Sequence, residues 1–219
     1  MKTKVAIVVF ACLIGRPTGL LVQGQVDRQL SYQPGVAIAT LIRPTDRRVQ
    51  VDMDPSPLKG FYPGDIAPAD LIRAHALEAQ AILVVKIDTK VPRLTPQADW
   101  IETTYQASIV EQLRPKARIA APYVRIDLDG GSLEIRGVMV TANAEWEPRI
   151  EVGAQYLLFI DHMRDPVDGV WAYRIGEKQL LESTWNAFYD HGARDNVHGI
   201  SLAEARKVLS ATPEHRLLR

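Results

Sequence analysis

The run Asp127-Leu128-Asp129-Gly130-Gly131 sets two carboxylates on one face of a strand end, beside a turn whose carbonyls are further oxygen donors, and Glu134 follows three residues beyond the glycines. Hard oxygen ligands of this kind suit calcium. The complete calcium loop has more acidic positions at fixed spacing, and Asp and Gly collect in turns for conformational reasons alone. A polar hairpin turn is therefore the simpler expectation. Two more clusters carry imidazole and carboxylate together: Asp161, His162, Asp165 and Asp168 in one loop, and Asp190, His191, Asp195 and His198 in another. Either suggests a transition metal or an acid/base pair. His191 and His198 are seven apart, however, without the i, i+4 spacing that brings two imidazoles onto one metal from a helix. Loop composition accounts for both clusters, and neither a metal nor a cofactor is expected.

Nucleophilic catalysis needs a serine on a tight glycine-flanked elbow or close to a lysine, and Ser132 and Ser183 have neither setting. The pair Gly130-Gly131 lacks the third glycine and the helix of a phosphate cradle. Aromatic residues offer more. Trp171 and Tyr173 alternate along one strand, and Trp185, Phe188 and Tyr189 gather just after the last one. Trp171, Tyr173, Trp185 and Tyr189 thus form a candidate binding surface for a carbohydrate or a partner protein. The competing reading is that large aromatics in a small barrel fill its core. His75 stands alone on a predicted helix and is assigned no role.

Prolines and glycines interrupt residues 25 to 68, so order there is expected to be short. Gly35 to Ile42 and Val49 to Met53 read as a hairpin around Pro44 to Arg48, which would pack this arm on the rest of the chain. Pro68 then suits a helical first turn, and Ala69 to Gln80 repeats its apolar residues at helical spacing. Ala81 to Ile87 is β-branched and apolar, which predicts a buried strand. Further strands are expected over Trp100 to Leu113, Tyr123 to Asp129, Ser132 to Val140, Ala154 to His162 and Gly169 to Ile175, with Asp129-Gly130-Gly131 as the turn between the second and third of these. Ser201 to Glu204 is a capping box opening a C-terminal helix. The expected architecture is mainly β: an antiparallel barrel with one helix before it and one C-terminal helix.

Lys2 and Lys4 precede the eleven-residue apolar run Val5 to Gly15, the charge order and length of a signal peptide. Spanning a bilayer takes about 20 apolar residues, and Arg16 with Pro17 stops the run short. Val22 and Gly24 are small enough for cleavage before Gln25. Cys12, the single cysteine, follows Val9, Phe10 and Ala11, a loose approximation to a lipoprotein site. Removal of the signal would leave no cysteine, hence no disulfide and no thiol nucleophile. The expected organisation is a signal peptide at 1–24, a Pro-rich arm at 25–65, a β-barrel domain at 66–210 and a tail at 211–219. A secreted or periplasmic location follows, with a lipoprotein or retained anchor as the alternatives and no stable membrane span once the signal is cut.

The chain balances 26 basic against 26 acidic residues, and the basic residues of the first 24 positions leave the remainder net acidic. Nucleic-acid binders concentrate positive charge, so none is expected as a partner. The order of features, a short helix into AQAILVVKI, a strand ending VEQLRP, a Gly-Gly pair, then EPRIEVGAQYLLFI with Gly153 ahead of Tyr156 to Phe159, and a final WAYRIG, resembles a diffuse set of uncharacterised exported bacterial domains. That set has an OB-like barrel related in shape to netrin and tissue-inhibitor modules. The resemblance covers roughly residues 66 to 185 and implies a fold, with no catalytic residue to transfer. The functional expectation is a non-enzymatic exported module that binds a protein or envelope component. The alternatives are an extracytoplasmic hydrolase using the acidic and histidine loops, and a membrane-anchored structural protein.

Overall fold

The computed structural model describes residues 26–53, 67–115, 119–144, 147–184 and 199–212. The chain is mainly β. In order it forms β1 (Arg28–Ser31), α1 (Ile38–Leu41), β2 (Arg48–Asp52), α2 (Pro68–Glu78), β3 (Ala81–Leu94), β4 (Ile101–Pro115), β5 (Tyr123–Asp129), β6 (Gly131–Ile135), β7 (Val138–Asn143), β8 (Gln155–His162), β9 (Asp168–Ile175), β10 (Leu181–Ser183) and α3 (Leu202–Ala211). No helix among these residues is long and apolar enough to cross a membrane.

Six strands build an antiparallel sheet in the order β10-β9-β8-β3-β4-β5. Successive side chains of a strand point to opposite faces, and both faces are covered at the start of β3, from Ala81 to Val85. Ile82 and Val84 pack with Ile72 and Ala76 of α2, Ala205 and Leu209 of α3, and Phe159 of β8. Leu83, Val85 and Ile87 turn the other way, onto Ala107, Ile126, Leu158 and Val167. Two buried faces explain why this segment is apolar without alternation. Bulges between β3 and β4, at Ile82/Leu83, Val84/Val85 and Ile87/Thr89, strengthen the local twist and bend the sheet. The bend brings the β5 edge to the start of β9. Ile126 and Val167 form a parallel bridge there, with Asp127 N donating to Val167 O at 2.9 Å and Val167 N to Arg125 O at 2.8 Å. The ladders do not close into a barrel among the described residues.

The second sheet, β1-β2-β7-β6, has parallel pairs β1/β2 and β2/β7 and an antiparallel pair β6/β7. Val49, Val51 and Val140 on its apolar side pack in one cluster with Trp100, Ile101 and Ile38 of α1. Two expectations are corrected here. Gly35 to Met53 is not a hairpin: Ile38–Leu41 is a single helical turn, and Arg48–Asp52 pairs in parallel with β1 and β7. Parallel partners far apart in sequence leave no local turn signal to read. Ser132 to Val140 is two strands, because Arg136 and Gly137 both take positive φ, 53° and 79°, in a tight hairpin turn. An arginine at the first of those positions concealed it.

The Asp129-Gly130-Gly131 corner is also not a hairpin, since β5 and β6 lie in different sheets. Gly131 has φ 134°, and a Cβ there would run into Thr103 Oγ1, which donates to Gly130 O at 2.7 Å in the interior. Gly131→Ala is expected to lower the melting temperature by roughly 5–10 °C, reflecting about 2–3 kcal/mol of steric and backbone strain. A thermal melt of the purified variant checks this. The helices form as their sequences dictate, with Pro68 in the first turn of α2 and Ser201 and Glu204 closing a capping box on α3.

Candidate functional site

Where the chain passes from one sheet to the other, it leaves a cleft of about 180 Å³. Leu128, Asp129, Gly130 and Gly131 form one side, Ala142, Asn143 and Ala144 at the end of β7 another, and Glu147 to Ile150 a third, with Tyr105 of β4 among them. The Glu147–Ile150 segment is anchored at its two ends. Glu147 N donates to Ala144 O at 3.2 Å, and Arg149 N to Thr184 O at 3.0 Å. Asn143 is steadied from the N-terminal arm, donating through Nδ2 to Asp52 Oδ1 at 3.3 Å.

Two carboxyl groups share this cleft. Burial pushes Glu147 up to about 7, the charge on Asp129 adds to the shift, and the Asp129 backbone N–H works against it. Asp129 is itself raised, first by burial and then by Glu102. The buried Trp100 indole lies beside the Asp129 carboxyl and favours its charge, working against the rise. An acid poised near neutrality beside a second carboxylate can donate or accept a hydrogen bond or a proton.

The residues singled out in the sequence fare differently. Asp129 lines the cleft, but Asp127 is taken by Arg93 Nη2 at 2.6 Å and Thr104 Oγ1 at 2.5 Å, and Glu134 is exposed on β6 of the other sheet. Among the described residues no group of three or more His, Cys, Asp or Glu side chains is arranged to hold a metal. In the Asp161 to Asp168 cluster, Asp165 pairs with Arg125 at 2.8 and 2.9 Å, and His162 is exposed. Asp161 has one buried oxygen without a hydrogen bond and is raised by burial and by Glu78. Ser132 shares a 2.9 Å hydrogen bond with Thr141 across β6 and β7, and Ser183 lies in β10. Trp185, Phe188, Tyr189, Asp190, His191, Asp195 and His198 lie outside the described residues.

Tyr173 is 0 % exposed and Trp171 is half-buried, so on β9 the aromatic pair packs inward against the helices instead of forming an open surface. They enclose His75. Its ring lies 4.4 Å from that of Trp171 and 5.5 Å from that of Phe159, and its Nε2 shares a 2.7 Å hydrogen bond with Tyr173 Oη. Burial alone lowers His75 to about 4. No sequence pattern marked this histidine, since its partner is almost a hundred residues away. Glu147 was missed for another reason: an acid next to a proline in a loop reads as solvated. Comparison with known proteins finds no matching family model and no matching curated protein.

Proposed function

We propose that this chain is an exported, non-enzymatic binding module with an OB-like barrel, and that the cleft at the Gly130–Gly131 corner is where it meets its ligand. The observation that carries the reading is the convergence of Asp129, Glu147, Asn143 and Tyr105 on one small cleft between two sheets. Convergent polar groups in a concave site are the usual mark of ligand recognition. Support for the barrel comes from the strand order β9-β8-β3-β4-β5 and from the Ile126–Val167 bridge, which joins β5 to the residue just ahead of β9. Export rests on Lys2, Lys4 and the apolar Val5 to Gly15. The resemblance to exported OB-like domains points the same way.

Expression of the full chain in a bacterial host, followed by fractionation and intact mass, is expected to give soluble extracytoplasmic protein beginning near Gln25. Full-length protein in the membrane fraction would contradict export by a cleaved signal. Pull-down from envelope extract is expected to recover a specific partner or component that is lost in Asp129→Asn. Recovery of none, together with turnover of a substrate, would overturn the binding reading. One observation favours a hydrolase as the second reading: Glu147, held near neutrality beside Asp129, has the properties of a general acid. Activity surviving His162→Ala and lost in Glu147→Gln would place that chemistry at the cleft.

A further inference from the structure

We infer that β1 is a strap held down by carboxylates, one that leaves the fold on acidification while the strands beneath it stay paired. β1 is the edge strand of its sheet and is 4 residues long. Apolar burial contributes little to its hold. From Val26 to Ala37 no residue is fully buried, whereas Val49 and Val51 of the adjacent β2 are each 1 % exposed.

The side-chain contacts that fasten the segment end on acids instead. Asp27 Oδ2 accepts from the backbone N–H groups of Arg47 and Arg48 at 2.6 and 2.9 Å. Arg28 Nη1 donates to Asp46 Oδ2 at 2.9 Å and to Leu41 O at 3.1 Å, and Asp46 also accepts from Arg43 N at 2.8 Å. Gln29 Nε2 donates to Asp52 Oδ2 at 2.5 Å, while Gln50 and Asn143 donate to Asp52 Oδ1. Just past the strand, Asp99 accepts from the Tyr32 hydroxyl at 3.1 Å, from Gly35 N at 2.8 Å and from Thr95 Oγ1 at 2.7 Å.

Protonation acts on these contacts in one direction. A neutral carboxyl is a weaker acceptor than a carboxylate, and each proton bound leaves Arg28 beside Asp46, or Arg47 and Arg48 beside Asp27, less compensated. Asp129 adds a further negative charge near Tyr32. Backbone N–H groups, of Arg47 and Arg48 for Asp27 and of Gly35 for Asp99, hold both acids below the ordinary value of 3.8. Their contribution is complete above pH 3.8 and is lost as pH falls through the lower folded values. The turn in which Val36 N donates to Gln33 O, with Gly35 at φ 74°, is the hinge. Release bares the edge of β2 that β1 covers and takes Tyr32 off Trp100, whose ring centroid lies 5.1 Å from that of Tyr32.

The test is amide hydrogen exchange followed by NMR, with rates corrected for the intrinsic effect of pH. Its reporters are the Asp27 and Tyr32 amides, which flank β1 and donate to the Arg48 and Asp52 carbonyls of β2. In the parent protein their protection is expected to fall below about pH 4 ahead of any loss in β3, β7 and β8. Acid also charges His75 and weakens the whole fold, so the decisive arm is at pH 7 with Asp46→Asn/Asp99→Asn, which leaves β1 itself unaltered. Protection of both reporters is expected to drop roughly tenfold there, with β3, β7 and β8 as in the parent, whereas Asp165→Asn on the surface changes none of them. Should the double variant fail to fold, Asp99→Asn carries the test, and the reporters are expected to lose protection at a higher pH than in the parent. Reporters unchanged in the folded variant, or losing protection in step with β3 and β7, would each overturn the inference.

Discussion

Replacing Glu147 by glutamine is expected to stabilise the protein above pH 7 and to change little at pH 4. The folded chain raises this carboxyl from 4.5 to about 7, mainly because burial penalises its charged form. A raised acid binds its proton more tightly folded than unfolded, so its contribution is complete below pH 4.5 and is lost as pH climbs through 7. The loss amounts to about 3 kcal/mol. Glutamine keeps the shape and never ionises, so the variant escapes that loss. A rise of roughly 5–10 °C in melting temperature at pH 8 is the expected result. Equal melting temperatures for the two proteins at pH 8 would mean that Glu147 is solvated and the cleft is not the low-dielectric site described above.

His75 works in the opposite sense over almost the same window. Burial lowers it from 6.5 to about 4, so the unfolded chain binds a proton that the folded chain refuses. Its contribution is complete above pH 6.5 and is lost as pH falls toward 4, again by about 3 kcal/mol. Between about pH 4.5 and 6.5 the two slopes oppose each other, and their sum in the parent chain is close to flat. Each substitution should unmask the other: Glu147→Gln should melt at steadily lower temperature on acidification, and His75→Phe at steadily lower temperature on alkalinisation. His75→Phe also removes the 2.7 Å hydrogen bond between His75 Nε2 and Tyr173 Oη, costing about 0.5–1.5 kcal/mol at pH 8. Adding Tyr173→Phe should recover part of that cost, because both partners of the lost hydrogen bond are then apolar. Melts of the parent, both single variants and the double variant across this range test the pair. A double variant no more stable than His75→Phe would show that the hydrogen bond is not what His75 supplies.

Much of the framework was legible in the residues. The α2 segment, the doubly buried start of β3, the strands β4, β5, β8 and β9, and the α3 capping box all follow from local periodicity and end signals. Nonlocal pairing was not legible. The helical turn at Ile38–Leu41 and the parallel joining of β1, β2 and β7 depend on partners that a window of sequence never contains. The turn at Arg136-Gly137 failed for lack of its usual residues. Of the site, the Asp129 to Gly131 run stood out for its composition, but its meaning changed once β5 and β6 fell in different sheets. Glu147 and Tyr105 reach the same cleft from elsewhere in the chain. The interior of β9 was legible as an aromatic strand, and only packing shows that Tyr173 faces His75 instead of solvent.

The most direct measurement is an NMR titration of the Glu147 side-chain carboxyl carbon, in the parent chain and in Asp129→Asn. A midpoint near 7 in the parent, falling toward the ordinary range when the Asp129 charge is removed, is the expected outcome and would establish a buried, coupled carboxyl pair in the cleft. A midpoint in the ordinary glutamate range, unmoved by Asp129→Asn, would contradict it and leave the corner as a polar turn with no site beneath it.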